Sequence, residues 1–271
     1  MSYFADCLHA VREKRPLVHH LTNYVTVQSC ANMTLAVGAS PIMADDLEEA
    51  GDIAAMASAL VLNIGTLNSR TVEAMLEAGR RANAAGVPVV LDPVGAGASR
   101  LRNETLSRLL EAVRLTCVRG NLSEVGFLAG LAAQARGVDV SAADQARTLE
   151  EQADIARSAA GRLGCTAVIS GAVDWVSDGR RVLALSGGHA MMARITGSGC
   201  MGTSVVGACC GAWDVPLEAA ATAVAIMNAA GEMAYEAAGA LGAGSFHTAL
   251  LDAVSRLDGE MLEGRVDCRE R

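Results

Sequence analysis

Short, wholly apolar runs alternate along this chain with longer stretches in which apolar residues recur every third or fourth position. The runs Ala59-Leu60-Val61-Leu62-Asn63-Ile64-Gly65, Val87-Pro88-Val89-Val90-Leu91-Asp92-Pro93 and Thr166-Ala167-Val168-Ile169-Ser170-Gly171 have no polar face. Runs of this kind predict strands buried on both sides of a sheet. Thr116-Cys117-Val118-Arg119 reads as a further strand, and Pro16 to Leu21 as a strand opening into a polar loop at Thr22-Asn23. Between them the spacing turns helical: Val72, Met75, Leu76 and Gly79 fall at intervals of 3, 1 and 3, which places them on one helix face. The pattern predicts helices over 5–14, from the loop after Asn23 to Val37, and over 47–58. Others are predicted from Ser69 to about Gly86, over 104–113, from Asn121, and over 142–163, 199–212, 215–238 and 245–258. Gly38 and Gly86 suit helix ends; Asp45 or Asp46, and Ser69, suit helix starts. Asp174 to Ser186 reads as shorter strands turning at Asp178-Gly179.

Strands alternating with helices imply an α/β fold, a mostly parallel sheet with helices on both faces. In such sheets ligands bind beyond the carboxyl ends of the strands. With no linker, repeat or low-complexity tract, residues 1–271 read as a single domain.

Composition narrows the picture. Aromatic residues make up 3% of the chain and hydrophobic residues 51%, so the core is aliphatic. A net charge of −8 argues against nucleic-acid binding, which needs clustered positive charge. None of the eight cysteines forms a C-x-x-C pair, which argues against structural zinc or a redox dithiol and suits a reducing, cytoplasmic setting. The N-terminus lacks the basic-then-apolar pattern of a signal peptide. Ile195 to Trp213 carries no charge but includes Gly197, Gly199, Gly202, Gly207 and Gly211; it reads as a loop and a buried helix, with no membrane span expected.

The strand-end filter selects Asn63-Ile64-Gly65-Thr66, Asp92 to Gly97, Arg119 to Glu124 and Ser170-Gly171. A fifth feature, Thr196-Gly197-Ser198-Gly199-Cys200, opens an apolar helix. Glycines there let successive N–H groups converge, and the helix adds its own free N–H groups and positive dipole end. The turn therefore reads either as an anion site or as a packing turn. Cys200, in the first helical turn, is expected to have a lowered thiol pKa, or else to be a small apolar residue like Cys209 and Cys210. Asp92 and Glu124 are candidate Mg²⁺ partners, with capping or solvated-acid roles as alternatives. Arg119 suits a nucleotide phosphate, or a surface ion pair. His19 and His20 show no metal-ligand spacing and receive no site role; His189 is a weak partner for a Cys–His nucleophile.

Taken in order, Val18 to Val25, Gly38 to Met43, Leu62 to Thr66, Leu91 to Gly97, Arg119 to Asn121, Thr196 to Cys200 and Gly244 to Phe246 closely resemble the hydroxyethylthiazole kinase family of thiamine salvage. The resemblance spans nearly the whole chain. It implies a ribokinase-like fold without a lid, in a homotrimer with thiazole sites at subunit interfaces. It also implies transfer of the ATP γ-phosphoryl group to 4-methyl-5-(2-hydroxyethyl)thiazole. Carried over by motif, Asn23, Val25, Met43 and Gly197 would contact the thiazole alcohol. Arg119 and Ser170 would contact ATP, and Asp92 and Glu124 would lie near Mg²⁺. Cys200 stands where many ribokinase-like relatives carry an aspartate base, and would position or deprotonate the alcohol. Ser170 departs from the family's frequent Thr but keeps the hydroxyl; His20 and Tyr24 are variable positions. Three other readings compete: a cysteine hydrolase or acyl transferase, a ligand-binding regulator on the same fold, and a dehydratase of hydrated nicotinamide cofactors.

Overall fold

Each apolar run becomes a strand, and the strands join in one nine-stranded sheet. The structure, a computed structural model, describes residues 3–130 and 147–271. The strands are β1 (Leu17–Leu21), β2 (Ser40–Ile42), β3 (Ala59–Asn63), β4 (Val89–Asp92), β5 (Cys117–Asn121), β6 (Thr166–Ser170), β7 (Val173–Ser177), β8 (Val182–Ser186) and β9 (Asp267–Glu270). Their order is β2-β1-β3-β4-β5-β6-β7-β8-β9. The first six run parallel, and β7, β8 and β9 continue antiparallel.

Alternation along the strands divides the core into two layers. Val18, Val61, Val90, Cys117 and Val168 point to one face. It is covered by α1 (Tyr3–Lys14), α2 (Val27–Val37), α8 (Ser198–Ala212), α9 (Pro216–Ala238) and α10 (Ala243–Arg256). Leu60, Leu62, Leu91, Val118 and Ile169 point to the other. There they meet α3 (Ala50–Met56), α4 (Ser69–Ala84), α5 (Arg100–Ala112), α6 (Leu122–Leu128) and α7 (Leu149–Leu163). A short α11 (Gly259–Glu263) precedes β9.

Several boundaries differ from the periodicity, and capping explains most of them. The helix expected from Ser69 is capped one residue earlier, by Asn68, which forms a capping box with Thr71. The helix expected over 104–113 starts at Arg100 because the Ser99 side chain accepts from the Arg102 N–H. The helix expected over 142–163 begins only at Leu149, where Thr148 and Glu151 form another capping box; residues 142–146 lie outside the described residues. The helix expected over 47–58 is confined to Ala50–Met56, and neither Asp45 nor Asp46 caps it. Strand β9 was not expected; Asp267–Glu270 is charged and mostly exposed, as an edge strand can be.

The uncharged stretch after Ile195 is the buried helix α8, and among the described residues no helix is long and apolar enough to cross a membrane. α8 lies close to the sheet because of Gly207. A Cβ there would stand 2.6 Å from Val61 Cγ2 and 3.1 Å from Val18 Cγ1. Gly207→Val should therefore overpack this interface and cost about 1–3 kcal/mol, read as a lower midpoint in urea unfolding.

Candidate active site

The period of two carries polar side chains onto the face that α8 covers. Val61 is followed on that face by Asn63, Val90 by Asp92, and Cys117 by Arg119. Asn63 and Asp92 are paired in register at the ends of β3 and β4, and α8 descends on them with its first turns. Thr203 Oγ1 donates to Asp92 Oδ2 at 2.8 Å. Cys200 Sγ accepts from Asn63 Nδ2 at 3.2 Å and from Asn23 Nδ2 at 3.4 Å. Arg119 Nη1 donates to the Gly199 carbonyl at 2.9 Å. Strands β3, β4 and β5, the loop after β1 and the start of α8 thus meet at the carboxyl rim.

Gly197 makes the entry into α8 possible. Its φ is +87°, a region open to glycine and strained for other residues. A Cβ would also lie 2.7 Å from Thr26 Cγ2. The first intrahelical bond runs from Met201 N to Gly197 O at 2.8 Å. The N–H groups of Ser198, Gly199 and Cys200 therefore have no intrahelical carbonyl, an arrangement that favours an anion.

Beside this turn opens a cavity of about 540 Å³. Arg119, Ser170, Gly171, Ser198 and Gly199 line one part of it, with Ser170 Oγ donating to the Gly120 carbonyl at 3.2 Å. Another part is lined by Asp174, His189 and Asn228. Asn228 donates to Asp174 at 2.9 Å, and His189 stacks on Tyr235 with ring centroids 3.5 Å apart. His189 Nδ1 accepts from the Met191 N–H.

Burial opposes charge in the site. Asp92 is buried and its carboxyl is raised, by burial first; Arg119, Thr203 and Asn63 oppose that shift. Glu124 is pushed up to about 7, by burial and then by the charge of Asp92. Glu124 also caps α6, accepting from the Asn121 and Gly95 N–H groups at 2.9 and 2.8 Å. It is therefore a buried, held acid, and the solvated-acid alternative does not apply. A buried Glu124 that the charge of Asp92 pushes toward protonation suits a cation held by the two acids. Mg²⁺ takes one or two carboxylates and completes its shell with water and phosphate oxygens. Among the described residues no group of three or more His, Cys, Asp or Glu could cage a metal.

The expected low pKa of Cys200 is overturned. Its thiol is pushed up to about 11, by burial first and then by the charge of Asp92. The helix terminus is outweighed because the sulfur faces inward, toward an acid. His19 and His20 belong to the core. His19 Nε2 pairs with the Ala44 carbonyl at 2.8 Å, and burial lowers His20 to about 4.

Asn23 is buried, whereas Val25 and its neighbour Tyr24 are exposed. Met43 is half-buried and follows edge strand β2, beside the end of β1. Among the described residues no hydrogen bond ties Val25 or Met43 to the Asn63–Cys200 cluster.

Residues 8–260 match the hydroxyethylthiazole kinase family. The chain belongs to that family. It is 53% identical over 248 residues to a hydroxyethylthiazole kinase of Ruminiclostridium cellulolyticum, covering 92% of this chain and 90% of that one. It is also 53% identical to one from Desulfovibrio desulfuricans, over 98% of both. A solved hydroxyethylthiazole kinase from Pyrococcus horikoshii superposes with a TM-score of 0.90 at 37% identity, covering 100% of both chains. Pyridoxal kinase from Staphylococcus aureus, solved with AMP-PCP and pyridoxal, shares the fold at a TM-score of 0.61 and 17% identity.

Within this kinase frame, three contributors went unassigned by sequence reasoning. Asn63 reads from sequence as a strand-end residue without a role; its position two after Val61 is the signal that places it on the α8 face. Thr203 stands three residues after Cys200, one helical turn along the same face. Arg102, on α5, donates to the carbonyls of Ile64, Gly65 and Val94; a surface-helix arginine gives no sequence signal for that.

Two outcomes follow. Cys200 should alkylate slowly with iodoacetamide at pH 8, with a rate that climbs about tenfold per pH unit toward pH 11, followed by mass spectrometry. Gly197→Val should fold and lose turnover, because its side chain enters Thr26 and the anion turn.

Proposed function

We propose that the chain, acting as a single domain, transfers the γ-phosphoryl group of ATP to the hydroxyl of 4-methyl-5-(2-hydroxyethyl)thiazole, in thiamine biosynthesis or salvage. One observation carries the site assignment: the free N–H groups of the Gly197–Cys200 turn stand between two chemically different regions. On one side is the cavity with Arg119 and Ser170. On the other are Asn23, Cys200 and the exposed Val25. This is the layout needed to receive a phosphoryl group passing from nucleotide to alcohol.

In this reading Arg119 and Ser170 hold the polyphosphate, while Asn23, Val25, Met43 and Gly197 hold the thiazole alcohol. The N–H groups of residues 198–200 receive charge on the transferring group. Positioning and electrostatic stabilisation of that kind dominate phosphoryl transfer. Asp92 and Glu124 would hold Mg²⁺, which when bound neutralises triphosphate charge. Cys200, a thiol at neutral pH, positions the alcohol; its raised pKa speaks against a role as base or covalent nucleophile.

We further propose that the enzyme is a cytoplasmic homotrimer with acceptor sites at subunit interfaces. Tyr24 and Val25, 80% and 58% exposed, lie beside Asn23 and support a neighbouring subunit there. Eight unpaired cysteines and the use of ATP support the location.

The test is ATP consumption across thiazole alcohols and hydroxymethylpyrimidine, with products identified by mass. A phosphorylated hydroxyethylthiazole is expected; absence of turnover on every thiazole alcohol would sink the proposal. Cys200→Asp should retain turnover in the same assay, since it places a carboxylate where the thiol only positions.

A further inference from the structure

Asn63 has two amide donors and two acceptor positions, and all four are used. Nδ2 donates to Asp92 Oδ2 at 2.8 Å and to Cys200 Sγ at 3.2 Å. Oδ1 accepts from Asn23 Nδ2 at 3.0 Å and from the Gly65 N–H at 2.9 Å. The side chain is 2% exposed, so water does not compete for these bonds.

The partners dictate which way the amide faces. A backbone N–H can only donate, so Oδ1 must meet Gly65. With Oδ1 so placed, Nδ2 is the end that faces Asp92 Oδ2 and Cys200 Sγ. The same reasoning orients Asn23, whose Oδ1 accepts from the Thr26 N–H at 3.1 Å, turning its Nδ2 toward Asn63 and Cys200. Both amides therefore aim an N–H at one sulfur. Asn63 touches all three of the others: the Asp92 carboxylate, the Cys200 sulfur and the Asn23 amide.

We propose that Asn63 is a positioning residue for phosphoryl transfer, holding Asp92, Cys200 and Asn23 in one fixed geometry at the acceptor site. This rests on the kinase reading above. Asn63 lies outside the lining of the Arg119–Ser170 cavity, so its loss should spare nucleotide binding and strike the chemical step.

Asn63→Asp retains the shape and the acceptor facing Gly65 and Asn23. It replaces the N–H groups with an oxygen that confronts Asp92 and the sulfur. Asn63→Ala removes all four bonds without adding charge. Steady-state kinetics with ATP and hydroxyethylthiazole, beside thermal melts, test both variants. The expected result is a kcat loss on the order of 100-fold for Asn63→Asp, a smaller loss for Asn63→Ala, and an ATP KM within about threefold of wild type.

Wild-type kcat in either folded variant would overturn the proposal. So would a kcat loss matched by an equal rise in ATP KM, or failure of both variants to fold, since each marks a purely structural residue. If only one variant folds, its kcat and KM decide. An inactive wild type would remove the kinase reading, and this proposal with it.

Discussion

Everything at the rim depends on how closely α8 can approach the sheet. Its inner face presents Cys200, Thr203 and Gly207, one turn apart, over Asn63, Asp92 and Val61. Where side chains are small the backbone comes close, and hydrogen bonds between helix and strand ends become short enough to form. A bulky residue at Gly207 would lift the helix away from the strand ends that its first turns now meet. The approach also excludes water, which strengthens the remaining electrostatics and raises the proton affinity of Asp92 and Cys200 together.

A second consequence is the separation of duties. The strands supply acid, amide and guanidinium from alternate positions of an otherwise apolar run, so their backbones are held by core packing on both faces. The turn before α8 supplies N–H groups whose direction is set by Gly197. Neither element needs a flexible loop to bring its groups together. Rigid scaffolding of this sort is what positional catalysis requires.

Much of this was legible in the sequence, and the residues show why the rest was not. Strands β3, β4 and β6 were readable because burial on both faces leaves continuous apolar runs. Asp92, Arg119 and Cys200 stood out because they interrupt such runs or follow glycines where chemistry is expected. Boundaries set by a single capping side chain, such as Asn68, Ser99 and Thr148, escaped periodicity. The thiol pKa of Cys200 runs opposite to the expectation because a helix terminus is local and visible, whereas the inward aim of its sulfur toward Asp92 is a tertiary fact. Arg102 was invisible for the same reason: its partners are backbone carbonyls from two distant loops.

Arg102 has one more role, which follows from the planarity of the peptide bond. In a trans peptide the C=O and N–H point in opposite directions. The Ile64 carbonyl taken by Arg102 belongs to the same peptide as the Gly65 N–H that holds Asn63. The Val94 carbonyl likewise shares a peptide with the Gly95 N–H that holds Glu124. One guanidinium, from outside the cluster, thus acts as a rudder for two peptide planes. By pulling both carbonyls toward itself it turns both N–H groups inward, one to the amide and one to the acid.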